Sequence, residues 1–130
     1  MIELYLERQS GVNPYLQIVA QVKRALLLGI LQVGDQLPTL KEVVGKLTIN
    51  PNTVLRAYRE LEVEGLIETK PGVGSFVTRS LAGPAISYYP ELRDSLITWL
   101  KEARETGLDE DSILALFDSV RRENLVGDPR

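Results

Sequence analysis

Residues 39–61 read TLKEVVGKLTINPNTVLRAYREL, and this segment indicates two helices separated by a very short break. Thr39 and Glu42 have the T-x-x-E spacing of a capping box, which opens a helix. Asn50 and Pro51 then combine a favourable N-cap with the residue preferred at the first helical position, so a second helix begins there. A short helix joined by a tight turn to another helix is the helix-turn-helix arrangement.

Apolar residues at spacings of three and four give each helix one buried face. The first helix carries Val43, Val44 and Leu47. The second is predicted to end at Glu64 and carries Val54, Ala57, Tyr58 and Leu61. Upstream, Asn13 and Pro14 repeat the same start signal, and Gly29 ends a helix that carries Tyr15, Ile18, Val22 and Leu26.

A hairpin is predicted after the helix-turn-helix. Its strands cover residues 66–69 and 75–78, and the intervening KPGVG at residues 70–74 is typical of a turn. At the other end of the chain, Ile2, Leu4 and Leu6 alternate with more polar residues, which predicts a half-buried strand. Helix, short helix, turn, helix and hairpin in this order predict a winged helix-turn-helix domain over residues 1–80.

The remaining residues, 81–130, are predicted to form a helical tail after a linker at residues 81–84. One helix runs from about Pro90 to Thr106, and Asp109 caps the next. Their apolar faces are expected to pack partly within the tail and partly against a second chain, through Leu92, Leu96, Trp99, Leu100, Ile113 and Phe117. The predicted fold class is therefore mainly α with a small β-hairpin: a winged helix-turn-helix domain followed by a two-helix dimerisation tail.

Composition argues against several functions. The chain has 130 residues and neither Cys nor His, so it lacks the commonest metal ligand and general base, and we predict no metal, no cofactor and no enzymatic activity. It contains no apolar run of membrane-spanning length, and its first residues do not resemble a secretory signal, so we expect a cytoplasmic protein.

The net charge of −3 is unevenly distributed. Residues 1–80 hold nine Lys or Arg and eight Asp or Glu, whereas residues 81–130 hold six and ten. The acidic excess therefore belongs to the tail, and the first domain can still present one basic face to a nucleic acid.

Double-stranded DNA is the predicted partner, because the second helix of a helix-turn-helix enters the major groove and the hairpin can reach the flanking backbone. Asparagine can pair with an adenine edge, the threonine methyl can contact that of thymine, and cations bind phosphate. Glycines in the wing let the backbone approach phosphate closely. The candidate contacts are Thr39, Lys41, Asn50, Asn52, Thr53, Arg56, Arg59, Lys70, Gly72 and Gly74.

Purely structural roles remain open for several of these residues. Thr39 can serve only the capping box and Asn50 only the helix start. Arg56 and Arg59 can form a solvated face paired with the glutamates of the same helix. The wing glycines can be turn residues and nothing more.

The sequence resembles the GntR family of regulators over about residues 10–79. The resemblance lies in PYLQI at 14–18, GDQLPT at 34–39, NTV at 52–54, AYREL at 57–61, EGLI at 64–67 and GVGSFV at 72–77. The stretch NPNTV at residues 50–54, followed by a short tail, is similar to the YtrA-type subfamily.

This resemblance implies a homodimer that binds an inverted-repeat operator, with repression as the family default and a transporter operon as a frequent target. It also adds Ser75 to the wing-tip contacts. Four positions depart from the family pattern: Asn50-Pro51 replaces a frequent Ser-Arg, Leu55 replaces a polar or basic residue, and Lys41 replaces arginine. These departures leave the operator sequence open.

Two other functions remain open at this point. The near-neutral first domain could be a winged-helix module for protein contacts, and the discriminating observation is whether Lys41, Arg56, Arg59 and Lys70 share one face without acidic cover. The tail could also serve a sensor or an enzyme. A small-molecule effector of unknown identity could bind between the tail and the winged domain.

Overall fold

The computed structural model describes residues 2–125, which divide into two compact units with the boundary between Ile86 and Ser87. The winged unit, residues 2–86, and the tail unit, residues 87–125, are each described by themselves. The elements in chain order are the helices α1 Pro14–Leu27, α2 Leu40–Leu47 and α3 Pro51–Val63, the strands β1 Ile67–Lys70 and β2 Gly74–Val77, a 3-10 helix Pro84–Tyr88, and the helices α4 Tyr89–Glu105 and α5 Glu110–Asn124. The winged helix-turn-helix and the tail helices are confirmed.

Side chains set the starts of the first three helices as the sequence predicts. Asn13 Oδ1 accepts a hydrogen bond from the Tyr15 amide at 3.2 Å, and Asn50 Oδ1 accepts one from the Asn52 amide at 2.8 Å. Between these helices, both hydrogen bonds of the capping box at Thr39 are present. Because such caps satisfy amides that have no partner inside the helix, they fix where each helix begins.

The core of the winged unit is made by the faces that the apolar spacing predicts. Helices α1 and α3 pack against each other and bury Ile18, Val22, Leu26, Val54, Ala57 and Leu61 almost completely. Each Val, Leu or Ile side chain in this set contributes roughly 1.5–3 kcal/mol by leaving water, and the methyl group of Ala57 contributes less. This packing fixes the orientation of α3, so its opposite face points outward.

The predicted N-terminal strand is wrong, because residues 2–7 form no β-ladder. Their burial does alternate, with Leu4 buried between exposed Glu3 and Tyr5. The expected pairing is replaced by a side chain: Gln21 Oε1 accepts from the Tyr5 amide at 3.0 Å, and Gln21 Nε2 donates to the Tyr5 carbonyl at 2.8 Å. Gln17 makes the same pair of hydrogen bonds with the Glu7 backbone, at 2.8 Å and 3.1 Å, so two glutamines of α1 supply the hydrogen bonds that a neighbouring strand would supply.

The wing has a third, short strand-like segment that the sequence interpretation missed. Strands β1 and β2 are antiparallel, with Ile67 opposite Val77. Residues 34–37 run along the other edge of β2, where the Val77 amide donates to the Asp35 carbonyl at 2.8 Å and Gln36 pairs with Phe76. This edge anchors the hairpin to the chain that leads into α2.

The tail unit buries little of its apolar surface. Asp109 caps α5 by accepting from the Ser112 amide at 2.8 Å, as predicted, and that hydrogen bond lowers the pKa of the Asp109 carboxyl. Within residues 87–125, only Ala103 and Ile113 are buried.

Across residues 2–125, no helix combines the length and the apolar character needed to cross a bilayer.

Candidate nucleic-acid interface

The outward face of α3 carries polar and cationic side chains. Asn52, Arg56 and Arg59 lie at spacings of four and three, opposite the buried apolar face, and all three are exposed. Thr53 beside them is half-buried. In this arrangement the helix can present polar and cationic side chains to the major groove while its apolar face stays packed in the core.

Arg56 is held by a residue of another helix. Its guanidinium carbon lies 3.8 Å from the centroid of the Tyr15 ring, and its Nη2 donates to the Tyr15 hydroxyl at 3.2 Å. The two residues are 41 positions apart in the chain, and no local pattern connects them. Tyr15 is therefore a component of this surface that sequence reasoning missed.

A groove of about 460 Å³ runs between α3 and the hairpin; we call it the helix–wing groove. It brings together six of the predicted contact residues, namely Thr39, Arg59, Lys70, Gly72, Gly74 and Ser75. Lys41, Asn50, Asn52, Thr53 and Arg56 do not line it, and belong to the helix starts and the outer face of α3. The predicted contacts thus occupy two adjoining parts of the winged unit.

The wing is shaped by Gly74 and Gln36. Gly74 has φ +145°, which disfavours any residue with a side chain, and a Cβ there would collide with the Gln36 side-chain amide. Gln36 Nε2 donates to the Val73 carbonyl at 3.3 Å, which ties the wing tip to the third strand-like segment. Lys70 lies over the Phe76 ring at 5.2 Å, so its ammonium group is directed by the hairpin.

Three of the predicted contact residues use their side-chain oxygens in hydrogen bonds within the winged unit. Ser75 is only 8% exposed, and its hydroxyl bonds that of Thr69 at 3.0 Å, so its side chain serves the hairpin. Thr39 and Asn50 use their side-chain oxygens in helix caps. The structural roles left open for Thr39 and Asn50 are therefore present in the structure, and Asn50 keeps an amide group that can still donate.

The cations of this surface are not neutralised by ion pairs. In the part of the chain that the structure describes, none of Lys41, Arg56, Arg59 and Lys70 forms a salt bridge, so the suggested pairing with the glutamates of α3 is absent. Glu62 does line the helix–wing groove, where it accepts from the Thr69 amide at 3.2 Å. The surface is cationic with one carboxylate inside it.

A helix-turn-helix with an outward polar and cationic face and an adjoining wing defines the class of a DNA-binding transcriptional regulator. The family model described as "Bacterial regulatory proteins, gntR family" matches residues 14–77. The HTH-type transcriptional repressor YtrA of Bacillus subtilis (strain 168) is 40% identical over 77 residues, which are 59% of this chain and 59% of that protein.

Other similar proteins extend over more of the chain. The uncharacterized HTH-type transcriptional regulator YhcF of Bacillus subtilis (strain 168) is 33% identical over 111 residues, which are 82% of this chain and 88% of that protein. The solved structure of a transcriptional antiterminator from Listeria monocytogenes EGD-e aligns with a TM-score of 0.57 at 28% identity, covering 98% of this chain and 95% of that one. The chain belongs to the GntR family, and it is a DNA-binding transcriptional regulator.

Proposed function

We propose that the chain is a homodimeric repressor that binds an inverted-repeat operator, with one winged unit on each half-site. The proposal assigns it no catalytic step and no cofactor. The observation that carries the dimer is the apolar surface of the tail unit, and the observation that supports the DNA contact is the cationic surface around α3.

The tail helices leave several large apolar side chains exposed to solvent in the single chain. Leu92 is 66% exposed, Leu96 47% and Phe117 50%, while Trp99 and Leu100 are half-buried. Leu114, Leu116 and Val120 on α5 are also exposed. A unit of two helices cannot bury such residues by itself, and exposed apolar patches of this kind mark interaction sites.

A second copy of the same tail is the occupant that the proposal assigns to this surface, because four antiparallel helices can bury the two faces around a shared core. Leu92→Glu and Phe117→Glu should then each convert the protein to a monomer in sedimentation, because a dimer would have to bury one charge from each of its two chains in the shared core. Val63→Glu is the matched control, because Val63 is 86% exposed and lies outside the tail.

The single tryptophan gives a second measurement of the dimer. Trp99 lies in α4, so its fluorescence reports unfolding of the tail. If the tail folds by pairing, its unfolding midpoint must rise with protein concentration. A midpoint that stays constant over a hundredfold change in concentration, together with a monomer in sedimentation, would refute the dimer.

For DNA, we propose that Asn52, Thr53 and Arg56 meet base edges and that Lys41, Arg59, Lys70 and the wing-tip glycines meet the backbone. Affinity should fall with salt, with a log–log slope of about −0.9 for each phosphate neutralised. Arg56→Ala should weaken binding to the operator. Binding as tight as that of the parent would show that this face of α3 is not at the DNA.

The operator itself is best found by selection. Sheared DNA of the source genome is mixed with the protein and excess competitor at moderate salt, and the retained fragments are sequenced. Enrichment of inverted repeats beside a transporter operon, with derepression of that operon when the gene is deleted, would support the full proposal. Retention without sequence preference across a range of salt would contradict it.

A further inference from the structure

The guanidinium of Arg56 is the most firmly held cation on the DNA-facing surface. Arginine has several rotatable bonds, and an exposed arginine normally loses much of its freedom when it binds a partner. Here the group is already stacked at 3.8 Å on the Tyr15 ring and bonded to its hydroxyl at 3.2 Å. Arg56 nevertheless remains exposed, so its outer edge is open to a partner.

The support beneath Arg56 is rigid. Tyr15 lies in the first turn of α1, where Asn13 caps its amide, and its ring packs against the core of the winged unit. A tyrosine side chain has only two rotatable χ angles, so it holds an attached group with little freedom of its own. Because α1 packs against α3, the ring stays in register with the outer face of α3.

We propose that Tyr15 is a positioning residue for DNA recognition: it holds the Arg56 guanidinium, before binding, in the orientation in which Arg56 meets the DNA. The fork of arginine has five N–H donors, and one of them is used by the tyrosine hydroxyl, so the others remain for a base edge or a phosphate. Tyr15 itself does not touch the DNA. The inference rests on the proposed placement of Arg56 at the DNA.

A double-mutant cycle in the full-length protein tests this. The four proteins are the parent, Tyr15→Leu, Arg56→Ala and the combination of both. Each is titrated with the duplex recovered by genomic selection and with a scrambled duplex of the same length, at several salt concentrations. If the selection yields no site, a random-sequence duplex at low salt is the probe.

Tyr15→Leu should weaken binding about two- to tenfold when Arg56 is present, because the freed Arg56 side chain must then be ordered when it meets the DNA. It should have no further effect in the Arg56→Ala background. Its salt slope should equal that of the parent, since the number of neutralised phosphates is unchanged. Leu16→Ala, on the adjacent exposed position of α1, is the matched control and should bind like the parent.

Tyr15→Phe covers the case in which the leucine variant folds poorly. Phenylalanine keeps the ring but loses the hydrogen bond to Arg56, so its loss of affinity should be smaller than that of leucine and should again vanish without Arg56. Thermal unfolding of every variant shows whether stability changes separately from affinity.

Four results would overturn the inference, and one of them also contradicts the proposed contact of Arg56 with DNA. Equal weakening with and without Arg56 would mean that Tyr15 only stabilises the fold. Tighter binding by Tyr15→Leu or Tyr15→Phe would mean that the ring withholds Arg56 from DNA. If Arg56→Ala binds like the parent, the proposed contact itself is wrong; if it weakens binding while both Tyr15 variants bind like the parent, only the positioning role is wrong.

Discussion

The turn of the helix-turn-helix contains a strained residue, and replacing Thr48 by glycine should stabilise the protein. Thr48 has φ 53° and ψ 56°, and it is the one non-glycine residue with positive φ among residues 2–125. A β-branched residue in this left-handed region is an outlier. The Thr48 amide donates the last hydrogen bond of α2, to the Val44 carbonyl. The left-handed conformation then turns the chain out of α2, so that it reaches Asn50, the N-cap of α3, two residues later.

The expected gain follows from two opposing terms. The left-handed conformation costs an L-residue about 1–2 kcal/mol, and glycine avoids this cost. Glycine also gives the unfolded chain more freedom, which offsets about 0.5–1 kcal/mol. Since the Thr48 side chain is exposed, little packing is lost. The net expectation for Thr48→Gly is about 0.5–1 kcal/mol of added stability, with unchanged DNA affinity because the turn keeps its shape.

Amide exchange at single-residue resolution is the appropriate assay, because Trp99 fluorescence reports the tail rather than the winged unit. The buried α3 residues Val54 and Ala57 should exchange about two- to fivefold more slowly in Thr48→Gly. Thr48→Ala keeps a Cβ and therefore most of the cost, so it should gain less than half as much. Equal gains for alanine and glycine, or faster exchange in the glycine variant, would refute the argument from backbone strain.

Three further predictions concern the wing and the N-terminal segment. Gly74→Ala should destabilise the wing by about 1–3 kcal/mol. Adding Gln36→Ala should recover only the part of this loss of stability that is due to the collision, because φ +145° remains unfavourable for alanine; urea unfolding followed by circular dichroism measures both variants. Glu62→Gln should tighten binding to DNA of any sequence, since it removes the carboxylate from the helix–wing groove but keeps an acceptor for the wing amide; fluorescence anisotropy with two unrelated duplexes would show weaker or unchanged binding if this is wrong. Gln21→Leu removes both side-chain hydrogen bonds to Tyr5, so the amide of Tyr5 should exchange at least tenfold faster while that of Ala57 changes by less; equal changes at both would contradict this.

Local chemistry made much of the fold predictable from sequence. Each of the first three helices begins with a side chain that can satisfy free amides, and Asn13, Thr39 and Asn50 do so as expected. The apolar spacing of α1 and α3 was also sufficient, because a 3.6-residue period leaves only one face for the core. These features depend on residues that are only a few positions apart in the chain, and sequence patterns capture such local relations well.

The errors arose where distant residues replace a local pattern. The alternation of residues 2–6 is real, but the side chains of Gln17 and Gln21 make the hydrogen bonds expected of a neighbouring strand. No strand is predicted from the sequence for residues 34–37, and only their pairing with β2 shows them to be a third strand-like segment. The support of Arg56 by Tyr15 has the same origin, since it depends on how α1 packs against α3 and on no motif within either helix.

Net charge is a poor guide to this DNA-binding surface because four of the eight acidic side chains of the winged unit have partners elsewhere. Glu3 pairs with Lys46, and Glu64 pairs with Lys23, so these charges cancel away from the groove. The Glu42 carboxylate likewise accepts a hydrogen bond from the Thr39 amide at the start of α2, and the Asp35 carboxylate accepts one from the Gln32 amide in the turn before the third strand-like segment.

The cations of the interface have no such partners among the described residues, and exposed charges more than about 8–10 Å apart are largely screened at physiological salt. A phosphate therefore experiences the local cluster rather than the sum over the chain. Glu62 is the exception, because it is the carboxylate that lines the groove beside Arg59 and Lys70. It follows that changing Glu62 should alter DNA affinity more than changing Glu64, although both substitutions shift the net charge by the same amount.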